Sequence, residues 1–163
     1  MDLHSFTVRE VLLAALKSEI DSRDLYRKLQ KRVKNYVLKN KFGFLADEEE
    51  KHRVFFEQVY DRNFPGETIS LPEKSPVPIP DIRLKSENQP ISEVLEMAME
   101  AELKASEFYK SMIEIFSDEK IKRTLEYIST VELTHYKLLE VERDYAKKFE
   151  DYEGEWPLYH VGP

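Results

Sequence analysis

Hydrophobic residues recur every three to four positions through two long stretches of the chain, roughly residues 8 to 62 and 91 to 145. That period puts the apolar side chains on one face of a helix. Six of the eight prolines fall between Phe64 and Pro90, where regular helix is not expected. Each periodic stretch is too long for one ordinary helix, so each reads as a helical hairpin. The hairpin breaks are expected near Lys34–Asn35 and Ser117–Asp118, residues suited to caps. Thr7 with Glu10 reads as a capping box that opens the first helix. The pattern predicts four helices of about 25 to 28 residues, each on the order of 40 Å long. The expected fold is all-α: four helices arranged as two hairpins, separated by the proline-rich residues 64–90. These helices are expected within residues 1–147, with 148–163 as a C-terminal tail.

The two stretches are also related to each other. An offset of 83 aligns them without a gap, so that Glu10, Val11, Leu12, Ala15, Glu19 and Tyr26 meet Glu93, Val94, Leu95, Ala98, Glu102 and Tyr109. In the second helix of each half, Glu49, His52, Glu57 and Asp61 meet Glu132, His135, Glu140 and Asp144. The polar identities that survive include one Glu in each first helix and one Glu-x-x-His in each second helix. The match also singles out Glu49 within the run Glu48–Glu50, because positions 48 and 50 face Val131 and Leu133.

Helical spacing places these polar residues among apolar ones. The face of Glu19 reads Leu12, Ala15, Leu16, Ser22, Tyr26, Leu29, and that of Glu102 reads Leu95, Ala98, Met99, Ala105, Tyr109, Met112. Glu49 and His52 share a face with Phe42, Leu45, Phe56 and Val59, and Glu132 and His135 share one with Leu125, Ile128 and Leu139. All six polar groups therefore point into the core at one height. Four carboxylates there cannot stay ionised together without compensation. Two divalent cations balance them, with both imidazoles neutral. A mixed Glu and His donor set suits iron, manganese or zinc better than magnesium or calcium. One Glu from each of two helices plus a Glu-x-x-His from each of the others is the ligand set of di-metal carboxylate bundles. The expected metal ligands are Glu19, Glu49, His52, Glu102, Glu132 and His135.

Tyr26 and Tyr109 lie two turns beyond Glu19 and Glu102 on the same faces. They are candidates for hydrogen bonds to the ligand carboxylates across the bundle, or for a part in the redox chemistry. Glu48, Glu50, Glu96 and Glu100 read as solvated or supporting residues, and His4 and His160 as surface residues.

Composition narrows the function classes. The chain has no cysteine, which removes disulfides, thiolate zinc sites, iron–sulfur clusters and a cysteine nucleophile. A formal charge of −7 gives no general affinity for nucleic acid or anionic lipid. The longest apolar run, Val11 to Leu16, is too short to span a membrane, and the N-terminus lacks a signal-type segment. No nucleic-acid or membrane partner is expected, and the expected location is cytoplasmic.

The motifs Glu19 with Tyr26, EEEKH with Glu49 and His52, AELKASEFY with Glu102 and Tyr109, and VELTH with Glu132 and His135 resemble the ferritin-like superfamily, and within it the rubrerythrin-type di-iron proteins. The resemblance runs to about residue 147. It implies a ferritin-like four-helix bundle built from two helical hairpins joined by a long crossover, residues 64–90, and two iron ions, with Glu49 and Glu132 bridging, Glu19 and Glu102 terminal, and one histidine on each iron. Manganese and zinc are the alternative metals. The implied activity is reduction of hydrogen peroxide or dioxygen, with iron oxidation for storage or handling as the alternative. Full-length rubrerythrins carry a four-cysteine rubredoxin domain that supplies electrons. This cysteine-free chain would rely on an external donor such as a rubredoxin-like protein. Rubrerythrins also use a further carboxylate one turn beyond the helix-three ligand, where this chain has Ala105, with Ser22 as its repeat counterpart. The expected assembly is a homodimer rather than a large cage.

Overall fold

A computed structural model of the protein describes residues 3, 5–33, 36–73 and 89–155, with side chains as far as 148. Four helices make up its regular structure: α1 (Val8–Arg32), α2 (Tyr36–Asn63), α3 (Ile91–Met112) and α4 (Glu119–Glu155). The expected capping box is present: the Thr7 hydroxyl accepts from the Glu10 amide, and the Glu10 carboxylate accepts from the Thr7 amide at 2.8 Å. Asp118 caps α4, its Oδ1 accepting from the amides of Lys120 at 2.8 Å and Ile121 at 3.3 Å. The expected break at Lys34–Asn35 lies outside the described residues, as do most of the crossover, His4, His160 and the end of the tail.

Helix lengths depart from the expected 25 to 28 residues at two places. Helix α3 has 22 residues and ends in a turn over 113–115, where the Ile115 amide donates to the Met112 carbonyl at 3.0 Å. Helix α4 has 37 residues and continues through Glu155, past the expected tail boundary at 147. The apolar period stops near residue 145, and the Lys, Glu and Ala residues that follow are good helix formers, which lets the helix continue without it.

Packing follows the two hairpins: α1 lies along α2, α3 along α4, and α2 touches α4. The buried apolar residues divide into two clusters. One joins Val11–Leu16 of α1 to Phe56–Tyr60 of α2, Phe108–Met112 of α3 and Ile121–Ile128 of α4. The other joins Leu25–Val33 to Phe42–Ala46, Val94–Met99 and Leu139. Fully burying one such Leu or Phe contributes about 2 kcal/mol, so both ends of the bundle are firmly held. The division also orients the helices: α1 and α4 run one way, α2 and α3 the other.

The end of α2 and the start of α3 therefore lie at opposite ends of the bundle, which is why the connection must be long. Gly66, with φ 82°, turns the chain out of α2. Both described ends of the crossover touch α1. Near its N-terminus Arg9 pairs with Glu67 at 3.1 Å, and near its C-terminus Arg32 donates to the Gln89 carbonyl. Those two points on α1 are about 35 Å apart by the helical rise.

Candidate metal centre

Between the two apolar clusters sits a polar layer. Glu19 of α1, Glu49 and His52 of α2, Glu102 of α3, and Glu132 and His135 of α4 are all buried, none more than 5% exposed. Six ionisable side chains meet at one level because each occupies a core position of its helix, in the register shared by the two halves.

The six form two overlapping quartets, Glu19–Glu49–His52–Glu132 and Glu49–Glu102–Glu132–His135, in each of which one donor atom per residue lies within 4.8 Å of the others. Glu49 and Glu132 belong to both. His52 Nδ1 is 2.9 Å from Glu132, 3.5 Å from Glu49 and 3.6 Å from Glu19. His135 Nδ1 is 3.1 Å from Glu132, 3.6 Å from Glu49 and 3.7 Å from Glu102. The two imidazoles lie nearly parallel, with centroids 6.2 Å apart.

Proximity here does not amount to full hydrogen bonding. Glu49 Oε1, His52 Nδ1, Glu132 Oε1 and His135 Nε2 are buried without a hydrogen-bond partner. Buried polar atoms are normally satisfied, and leaving one bare costs about 1–3 kcal/mol. Three of these four atoms face the interior of the cluster. An oxygen- and imidazole-rich site with bare inward donors fits a pair of borderline divalent ions, and the cluster can hold metal.

Tyr26 and Tyr109 tie the two hairpins across this layer. The Tyr26 hydroxyl donates to Glu102 and the Tyr109 hydroxyl to Glu19, each reaching the opposite half of the chain. Burial first, and then the Glu102 charge, raises the Tyr26 phenol well above its ordinary range, and burial and Glu19 do the same for Tyr109. Both phenols stay protonated and keep donating.

Protons take the place of cations when no ion is bound. Burial, reinforced by the Glu49 charge, pushes Glu19 and Glu102 well above the usual carboxylate range. Burial works against the imidazolium forms but is outweighed by the surrounding carboxylates. His135 is thereby pushed up to about 12, and His52 is raised as well. Burial likewise opposes ionised Glu49, but His135 and His52 hold its pKa well below the ordinary value. The neutral imidazoles expected beside bound metal are therefore imidazolium in the metal-free protein.

Several supporting contacts were not legible from spacing. Ser106 and Ser129 join α3 to α4 through paired hydroxyl-to-carbonyl bonds of 2.8 and 2.9 Å. Glu50 fastens α2 to α1, accepting from Arg23 at 2.7 Å and Arg53 at 3.0 Å. Contacts with Arg53 first, then Arg23, lower the Glu50 carboxyl to about 2. Glu50 thus belongs to a half-exposed ion-pair network rather than to the buried cluster. Phe44, half exposed, sets its ring edge against His135 with centroids 6.4 Å apart. A pairing search in sequence finds none of these, since neither the serine pair nor the arginine network recurs in the other half. Ala105 and Ser22 are both partly buried and bring no further carboxylate to the layer.

Four antiparallel helices with a long crossover and a central carboxylate–histidine layer define a ferritin-like four-helix bundle. The chain matches the rubrerythrin family over residues 10–142 and belongs to that family. A hypothetical protein from Pyrococcus furiosus has a similar solved structure: 32% identity and a TM-score of 0.77, covering 89% of this chain and 93% of that one. No curated protein matches the chain. Among the described residues no helix is long and apolar enough to cross a membrane.

Proposed function

We propose that this protein is a non-haem di-iron oxidoreductase that reduces hydrogen peroxide, or dioxygen, with electrons from an external donor. The observation that carries this reading is the pair of overlapping quartets with bare donor atoms aimed between them. Glu49 and Glu132, which belong to both quartets, would be shared between the two ions, Glu19 and Glu102 would serve one ion each, and His52 and His135 would each complete one quartet. The bound iron pair would supply two electrons and open positions for the oxidant.

The chain's own residues do the rest. Tyr26 and Tyr109 each hold one oxygen of Glu102 and Glu19, which fixes the orientation in which these carboxylates would offer the other to an ion. The apolar clusters above and below keep water out of the layer. Ser22 and Ala105, one turn beyond the terminal glutamates, are small and would not obstruct a small oxidant there. Reducing one peroxide to two waters consumes two protons. In the metal-free layer Glu19 and Glu102 are held well above the ordinary carboxylate range, so each would release its proton on taking up an ion.

A second reading, iron oxidation for storage or handling, is favoured by one observation: the donor set is the symmetric six, with Ala105 at the place of a further carboxylate. Timing the oxidation of anaerobically loaded Fe(II) by stopped flow, with peroxide and dioxygen in separate runs, separates the two. The expected result is oxidation by peroxide at least about tenfold faster. A dominant reaction with dioxygen would favour the second reading.

A further inference from the structure

We infer that Ser106 and Ser129 are positioning residues for the metal centre: their clasp sets the spacing of α3 and α4 beside the place where Glu102, Glu132 and His135 would hold an ion. The inference rests on the proposed metal centre and goes beyond it, to two residues that bind no metal.

Both serines are buried, at 4% and 7% exposure, and both hydroxyls cross between helices. Ser106 Oγ donates to the Ser129 carbonyl at 2.8 Å, and Ser129 Oγ donates to the Ser106 carbonyl at 2.9 Å. Hydroxyls inside helices often turn back to a carbonyl of their own helix. Thr124, Thr130 and Thr134 on α4 and Ser111 on α3 do this. Ser106 and Ser129 instead each bond the backbone of the opposite helix. The two helices therefore cannot part or slide at this point without losing both bonds.

The clasp lies next to the polar layer. Ser106 follows Glu102 by one turn on α3, and Ser129 precedes Glu132 by one turn on α4. Because the helices are antiparallel, both serines fall on the same side of the layer, beside the apolar cluster that contains Tyr109 and Ile128. Glu102, Glu132 and His135, three members of one quartet, come from α3 and α4. Helix α3 supplies no member of the other quartet, Glu19–Glu49–His52–Glu132. A change in the spacing of α3 and α4 thus separates Glu102 from Glu132 and His135, while the other quartet keeps its donors.

The internal repeat supplies a comparison. At the offset of 83, Ser106 and Ser129 stand opposite Arg23 and Ala46. Ala46 is 1% exposed, so the equivalent place in the first hairpin is filled by a methyl group. Alanine is also the better helix former. Packing and helix propensity alone would accept alanine in the second hairpin too, and the hydroxyls answer a different need. The first hairpin is joined near this place through long side chains, Arg23 to Glu50 at 2.7 Å, in a partly exposed position. The serine clasp acts on the backbone itself. Donors held at a fixed spacing before an ion arrives bind it more tightly than donors that must be gathered.

Crystals of the full chain, equilibrated anaerobically with a series of Fe(II) concentrations, test this. Anomalous signal at the iron edge reads the filling of each position separately. In Ser106→Ala and in Ser129→Ala the position beside Glu102 and His135 should need about tenfold more Fe(II) for half occupancy, as for other residues that support a ligand. The position beside Glu19 and His52 should fill as in the wild type. In solution, competition against a chromophoric chelator should show the same tenfold loss in one of two binding steps. Ser111→Ala removes a hydroxyl bonded within its own helix and should change neither step. A purely structural role would lower the melting temperature of the serine variants and leave the two positions filling in their wild-type ratio. That result would overturn the inference, as would equal weakening of both positions. Wild-type crystals without two iron peaks would instead overturn the metal-centre reading, and the inference with it.

Discussion

Glu49→Ala should yield a helical protein that no longer holds an iron pair. Glu49 is the α2 carboxylate common to both quartets, and its removal takes a donor and a negative charge from each at once. Loss of a group that merely supports a metal ligand costs 10- to 100-fold in affinity, so loss of a shared ligand should cost more than about a hundredfold. The helices should survive because the apolar clusters on either side of the layer contain none of the six polar residues. Glu50→Ala is the matched control. Its side chain pairs with Arg23 and Arg53 at the surface, where such contacts contribute about 0–1 kcal/mol, and two irons should remain. Elemental analysis with circular dichroism on both variants checks this. Two irons retained in Glu49→Ala, or lost in Glu50→Ala, would count against the assignment.

Iron affinity should fall steeply with acidification. A ligand must shed its proton before it can bind metal. His52 and His135 are held as imidazolium well above neutrality by the carboxylates around them, despite their burial. Glu19 and Glu102 are raised chiefly by burial. Each ion thus displaces the proton of one histidine and, as pH falls, that of one terminal glutamate. The sign is fixed: all four shifts are upward, so protons compete with metal more strongly as pH drops. Between pH 7 and 5 the affinity per ion should fall about tenfold per unit from the imidazole alone, and more steeply wherever the raised carboxyl is also protonated. The same linkage acts on the metal-free fold. Glu19 and Glu102 favour folding while protonated, below their unfolded value, and oppose it as pH rises through their raised folded values. Anaerobic Fe(II) titration in weak buffer with a pH-stat should record acid release. A titration that releases no acid, with affinity flat across that range, would contradict the account.

The parts of the fold readable in advance were those fixed by periodicity. The four core faces, the capping box at Thr7 and the site register all follow from apolar residues at helical spacing, repeated at an offset of 83. Duplication picked Glu49 out of three consecutive glutamates, and burial agrees: Glu49 is 2% exposed, whereas Glu50 lies in a partly exposed ion-pair network. The cross-hairpin partners of Tyr26 and Tyr109 were readable only as a kind of contact, because spacing gives the face of a helix and not the neighbour opposite. The extension of α4 to Glu155 was missed because residues 146–155 carry no apolar period to detect. Pairs such as Ser106 with Ser129 depend on two helices approaching closely, which a single sequence does not encode locally. The protonation of the metal-free layer was equally hidden, since it arises from distances among six side chains drawn from four helices.

The central claim is that these six residues enclose two metal ions. Diffraction from crystals of the iron-loaded protein, recorded on both sides of the iron absorption edge, tests it directly. The account predicts two anomalous peaks in the polar layer, both in contact with Glu49 and Glu132, one beside Glu19 and His52 and the other beside Glu102 and His135. A single peak, or iron bound only at other residues, would contradict it.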